Sequence, residues 1–493
     1  MENLPVLIPV PLLISSFITL LLGLWRRNLA YVSAVGGVIV SLAAASAGLA
    51  RVLQNGALHY YLGGWPPPLG IEYVLDNLSA FMALLICLIG LMAVVYSRRP
   101  ALQEVPDKIV TLYPLMLLLL AGMVGIVVTG DMFNLYVFLE IASLSAYALM
   151  AIGNRQAPVA AFRYLIMGTL GACFYLLGLG LIYFSTGSLN MADIAHILPG
   201  LYGSRTIVAA AAFIVTGLAL KMALFPLHLW LPDAYTYAPS SVISLIAPTM
   251  TKVAAYVLVR LLLSVFLPQY LIETIPVTLI VGWLAAAGII VGSIMAIAQN
   301  DFRRMLAYSS VAQIGYVALG IGLGNPLGLV GGLLHIMNHA FMKGCLFQIA
   351  GAIRYRTGTW EISRFAGLGR RMPLTMACFT VAALSMIGIP PACGFFSKWY
   401  LVLGCIDAQN WVFLAVIIIS SLLNAVYFFR IIEKVYTMPP SSGAAVENAT
   451  DPPMTMRVPI LALAAGIIIL GLINVLIVNN ILGPAVAPLG QIG

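Results

Sequence analysis

LALKMALFPLHLWLPDAY (218–235) is too apolar to face water and too interrupted to be an ordinary helix. Its lysine, Lys221, stands about one turn before Pro226. Proline removes a helical hydrogen bond and clashes with the preceding turn, so the helix must break there. A second stretch repeats the feature: ALSMIGIPPACGFFSKWY (383–400) breaks at Pro390 and Pro391, and Lys398 follows the break. In lipid such breaks are tolerated only where the freed backbone faces protein or a wet cavity. Both stretches therefore read as membrane helices turned toward an interior.

Working outward, the rest of the chain agrees. It has 493 residues, of which 62% are hydrophobic and 8% charged. A soluble domain carries about 25% charged residues, so lipid is the expected solvent. Apolar runs of about 20 residues, the length that crosses a bilayer, recur about fourteen times. The broken stretches fall in the seventh run (206–238) and the twelfth (374–406). These runs are five places apart. If runs 4–8 (111–263) and 9–13 (274–436) are equivalent units, each is broken in its fourth helix. A unit with an odd number of helices inverts when repeated, and transporters built this way hold their ion site between the halves. The fold expected is a single all-α polytopic domain over 1–493, with two inverted five-helix repeats and helices 7 and 12 broken.

The net charge of +8 invites a nucleic-acid reading. The positions of the basic residues argue against it. Seventeen Lys and Arg, Arg155 among them, fall in connections after odd-numbered runs, and three (Arg51, Arg205 and Arg260) after even-numbered runs. The positive-inside rule then places odd connections in the cytoplasm and both termini outside a cell (inner) membrane. The first run (5–25) lacks a basic leading segment and a small-residue cleavage site, so it reads as a retained helix. The six cysteines show no metal-type spacing and read as small packing residues.

Ionisable side chains inside the membrane are costly and mark function. Five charged ones stand in apolar runs: Glu140, Lys221, Lys252, Lys343 and Lys398. Their bland alternatives are structural ion pairs or, for Lys343 near a helix end, snorkelling to the interface. Glu140 shares a helical face with Tyr136, Ser143 and Tyr147, and Lys252 shares one with Ser244, Pro248 and Tyr256. Glu140 and Lys221, a buried acid and a buried base on matching helices 5 and 7, are expected to pair. His335 and His339 are one turn apart, with Asn338 beside them. Histidine titrates near neutral pH and suits a proton relay. Structural hydrogen bonding is the competing reading; a metal site is disfavoured because no carboxylate ligand lies nearby.

Six motifs carry a resemblance. GDMFNLYVFLE (130–140), GSLNMADI (187–194), LKMALFPLHLWLPDAY (220–235), QNDFRRMLAYSSVAQIGY (299–316), HIMNHAFMKGCLF (335–347) and GIPPACGFFSKW (388–399) resemble the antiporter-like subunits of respiratory complex I and its relatives, in family order. Within that group the chain looks most like the D-type subunit of the Mrp multisubunit Na⁺/H⁺ antiporters. The resemblance implies a hydrophilic axis running from Glu140 and Lys221 through Lys252, His335 and His339 to Lys398 on the exit side. Some complex I chains carry glutamate at that last position, which the lysine disfavours here. The long lateral helix of the largest complex I paralogue is not expected.

The function expected is proton and monovalent-cation translocation within a multisubunit cation/proton antiporter. The alternative is a proton-pumping membrane subunit of an NADH–quinone oxidoreductase or a membrane-bound hydrogenase. A third reading, a scaffold with a fossil channel, sits poorly with the intact set of buried charges. No cofactor motif and no catalytic or redox centre is visible, so any redox chemistry belongs to partner subunits. The partners expected are other membrane subunits, protons, lipid and, in the antiport reading, Na⁺.

Overall fold

The computed structural model describes residues 3–153, 156–439, 449–487 and 489. Arg155 and the termini at Glu2 and Gly493 lie outside the described residues. In chain order the main helices are α1 (Leu4–Trp25), α2 (Arg27–Asn55), α3 (Asn77–Glu104), α4 (Pro106–Val128), α5 (Met132–Ala151) and α6 (Ala157–Thr186). Then come α7a (Arg205–Lys221), α7b (Trp230–Tyr237), α8 (Ser240–Ser264), α9 (Val277–Ile297), α10 (Phe302–Gly322) and α11 (Pro326–Thr357). The last are α12a (Pro373–Ile387), α12b (Cys393–Asp407), α13 (Trp411–Thr437) and α14 (Met454–Leu472). Among the described residues, eleven helices are long and apolar enough to cross a membrane. The predicted seventh and twelfth runs are indeed interrupted, over residues 222–229 and 388–392.

Local sequence sets the starts. Asp76 accepts from Ser79 N at 2.9 Å while Ser79 Oγ receives Asp76 N at 2.7 Å, a reciprocal cap that opens α3. Asp131 caps α5 through Asn134 N at 2.7 Å, and Asp301 caps α10 through Arg304 N at 2.9 Å.

Those two aspartates reveal a correspondence between the halves. Beside Asp131, Met132 N donates to Leu189 O and Met191 N to Gly130 O, at 2.9 and 2.8 Å. Beside Asp301, Phe302 N donates to Trp360 O and Ile362 N to Asn300 O, both at 2.9 Å. One clasp ties the turn before α5 to the segment after α6, and the other ties the turn before α10 to the segment after α11.

One element was not anticipated. Residues 58–61 and 72–75, within the polar connection 51–76, form a two-stranded antiparallel hairpin, β1 (Leu58–Tyr61) and β2 (Glu72–Leu75). Backbone groups outside a helix need partners of their own, and the hairpin supplies them.

The core runs along α8, α10 and α11, which are buried nearly all round, while α1, α2 and α13 bury only about a third of their apolar windows. Close packing elsewhere depends on glycine. A Cβ on Gly322 of α10 would stand 2.4 Å from the Gly282 Cα of α9, so no larger residue allows that approach. Two of these enclosed helices carry buried ionisable side chains, Lys252 on α8 and His335, His339 and Lys343 on α11.

Candidate functional site

Lys221 ends α7a, at the lip of the first break. Its Nζ donates to Ser143 Oγ at 2.7 Å and lies 3.7 Å from Glu140 Oε1, with Tyr147 OH at 3.5 Å. Glu140, Ser143 and Tyr147 occupy one face of α5 at three- and four-residue spacing, as expected; Tyr136, on the same face, does not reach the lysine. The pair is loose: Glu140 Oε1 is buried without a hydrogen bond. Tyr164 packs edge-on against Tyr147 and stacks on Trp230 at 4.0 Å, which ties the pair's surroundings to α7b.

Lys252 is buried on α8 and donates to the Ala247 carbonyl of its own helix. It hydrogen-bonds no other predicted site residue. His335 is clasped on both ring nitrogens, by Ser397 Oγ and Gln313 Oε1, each at 2.9 Å. His339 stacks on it with ring centres 5.9 Å apart, and neither of its nitrogens has a hydrogen-bond partner among the described residues. Lys343 is fully buried and donates to Leu306 O at 2.8 Å and to Ser309 Oγ, so it does not snorkel. Lys252, His339 and Lys343 stand within electrostatic reach of one another.

Lys398 lies on α12b and reaches back to the carbonyls of Met386 and Ile387 at 3.0 and 2.9 Å, and to Ser421 Oγ at 3.1 Å. The Tyr316 ring lies 4.9 Å away, and the same ring is 5.4 Å from His335. His335 and Lys398 therefore share Tyr316, and Ser397 is the residue before the lysine. The structure brings Glu140 to Lys221, and His335 to His339 and Lys398; between Lys221 and Lys252 there is no direct contact.

Other polar groups escaped the sequence reading. Arg260, counted there as a loop residue, lies largely buried in α8 and grips Asp76 with both terminal nitrogens, at 2.5 and 2.8 Å. Burial opposes ionisation of Asp76, but the guanidinium and the Ser79 cap outweigh it and hold the carboxyl at about 2, below its usual 3.8. Stability from this group is therefore present above its unfolded value and is lost as the pH falls through about 2. Glu72 on β2 is buried and bonds His59 Nδ1 at 2.6 Å and Asn190 Nδ2 at 3.0 Å. These residues line a cavity of ≈ 450 Å³ beneath the hairpin. The only advance signal was the Asp-x-x-Ser cap pattern at 76–79. Five of the six cysteines are buried and none is in a disulfide, while Cys173 is exposed.

A loose carboxylate–ammonium pair at a helix break, followed by buried lysines and stacked histidines, falls within the match to one described protein family, NADH:quinone oxidoreductase/Mrp antiporter, transmembrane region, which covers residues 129–424. The chain belongs to that family. It is 51% identical to the N-type subunit of the NADH-quinone oxidoreductase of Desulforudis audaxviator, over 97% of this chain and 98% of that one. It is 31% identical to the D-type subunit of the Na⁺/H⁺ antiporter of Alkalihalophilus pseudofirmus, over 96% and 94%. In three dimensions it matches a chain of the membrane-bound sulfane sulfur reductase, an archaeal respiratory membrane complex, with a TM-score of 0.90 and 31% identity, over 99% and 98%. The expectation of the Mrp D type is corrected by these identities, which favour the N type of the oxidoreductase; the short motifs mark the family rather than the type. The chain is a multi-pass membrane protein of this family.

Proposed function

We propose that this chain is a proton-translocating membrane subunit of a redox-driven complex of the NADH–quinone oxidoreductase kind. The observation that carries this reading is the loose Glu140–Lys221 pair. At 3.7 Å the ammonium feels the carboxylate but is hydrogen-bonded to Ser143 instead. A charge held between two partners can shift when a neighbouring charge changes, because Coulomb interactions between buried groups are strong. Lys252, His335, His339 and Lys398 then continue the relay, and Lys343 adds to its field. The 51% identity to a component of a redox complex, against 31% to a component of an antiporter, supports redox energy over a cation gradient as the driver.

In this reading the units 111–263 and 274–436 are inverted repeats, and the two backbone clasps at Asp131 and Asp301 support the correspondence. The loop charges support an inner cell membrane with both termini outside. The partners are other membrane subunits, since the sulfane sulfur reductase is a respiratory membrane complex.

The test is to purify the complex from its native membrane and seal it in vesicles. Oxidation of a reduced donor should acidify one compartment without any Na⁺ gradient, and Glu140→Ala should stop it. Acidification that needs a Na⁺ gradient and no electron donor would restore the antiport reading.

A further inference from the structure

At the end of the bundle opposite the hairpin, Trp360 lies between two arginines. Arg303 Cζ is 3.9 Å from the centre of the indole and Arg354 Cζ is 3.8 Å from it. Two guanidinium groups cannot both come this close on one face, so they occupy opposite faces. Arg303 is 2% exposed, yet among the described residues its Nε and Nη1 have no hydrogen-bond partner, and neither does Trp360 Nε1. All three unpartnered groups are donors. Burying a donor without an acceptor forfeits its bonds to water, and the cost is greater when the donor carries charge.

These three residues line a cavity of ≈ 150 Å³ together with Glu104 and residues 236–239. Glu104 is the one carboxylate among the described lining residues, and it is already engaged. It accepts from Ser240 N and Ser240 Oγ, both at 2.6 Å, and among the described residues it forms no ion pair with either arginine. The cavity thus sets two cations against one carboxylate that Ser240 already engages, and holds three donors without acceptors among the described residues.

We propose that this cavity is a binding site for a phosphate-bearing anion. A phosphate carries acceptor oxygens on all sides, and arginine's planar fork matches it with paired, charge-assisted bonds. The cavity lies where α3 ends, α8 and α10 begin and α11 ends, and the ends of helices of bilayer-crossing length come near the headgroup phosphates. Basic pockets between membrane helices at that depth bind lipid headgroups. A free phosphate compound offers the same oxygens. Either would join α3 and the α7b–α8 turn to α10 and α11, across the two halves.

The test measures thermal unfolding of the full-length chain in the complex with which it copurifies. The additions are dioctanoyl-phosphatidylglycerol, inorganic phosphate, and dioctanoylglycerol, which lacks the phosphate. A ligand that binds only the folded state raises the midpoint, here by about 2 °C or more at saturating concentration. Stabilisation by the phospholipid alone identifies a headgroup; stabilisation by inorganic phosphate as well identifies phosphate irrespective of its carrier. Arg303→Gln should remove the shift. Should that variant not fold, Arg354→Gln, on the more open face of Trp360, should cut the shift by at least half. No shift with either phosphate, an equal shift with dioctanoylglycerol, or an unchanged shift in the Arg354 variant overturns the site.

Discussion

The two helix breaks place a lysine beside freed backbone, and they use it in opposite ways. At the first, the freed carbonyls of Ala219 and Leu220 are met without Lys221: Leu224 N donates to Ala219 O at 2.9 Å and Trp230 Nε1 to Leu220 O at 3.2 Å. The ammonium is left to the side chains of α5. At the second, Lys398 itself meets the carbonyls of Met386 and Ile387. Proline spacing alone made the two look alike. The difference teaches that a break needs acceptors satisfied, and that whichever donor does so is committed. Lys221 is free to exchange partners, whereas Lys398 is tethered to fixed dipoles.

The largest expected effect falls on the first break. Glu140→Ala and Lys221→Ala should each abolish proton translocation in sealed vesicles while the protein still inserts, since removing one partner strands the other's charge. Normal translocation in either variant would break the comparison at its functional side. Next comes Lys398→Met, which leaves the Ile387 carbonyl unmet and the Met386 carbonyl with only Asn424 Nδ2 at 3.4 Å, a cost of about 1–3 kcal/mol. Its thermal midpoint should fall further than that of Lys221→Met, and the reverse order would show that the second lysine is not the structural tether. The smallest effect belongs to Trp230→Phe. It removes one hydrogen bond at the first break, about 1 kcal/mol, and keeps the stacking on Tyr164. Translocation should stay within about threefold of wild type, a barrier change well under 1.4 kcal/mol. A loss as complete as that of Lys221→Ala would mean that the indole, rather than the acid, governs the lysine.

Much of this was legible in the sequence. The prolines at 226 and 390–391 announced the two breaks, and an acid and a base buried in spans 5 and 7 have few partners but each other. What could not be read depends on contacts distant in the chain. Arg260 looked like a loop residue because its partner, Asp76, is 184 residues away. Lys343 looked able to snorkel because only the fold shows α10 closing over it with Leu306 and Ser309. The hairpin was missed because strands of four residues are too short to show a period of two. Glu72 then had no visible reason to be buried.

The long helix α11 has a consequence for how the protein is made. It spans 32 residues and carries His335, His339 and Lys343, and it is not among the eleven helices apolar enough to qualify as spans on their own. A segment with a central lysine costs several kcal/mol to leave the insertion channel alone, about 2.5–3.5 for the lysine itself. α8 and α10 precede α11 in the chain, so during synthesis they must stay beside the channel to receive it, and the polarity of α11 constrains the order of assembly.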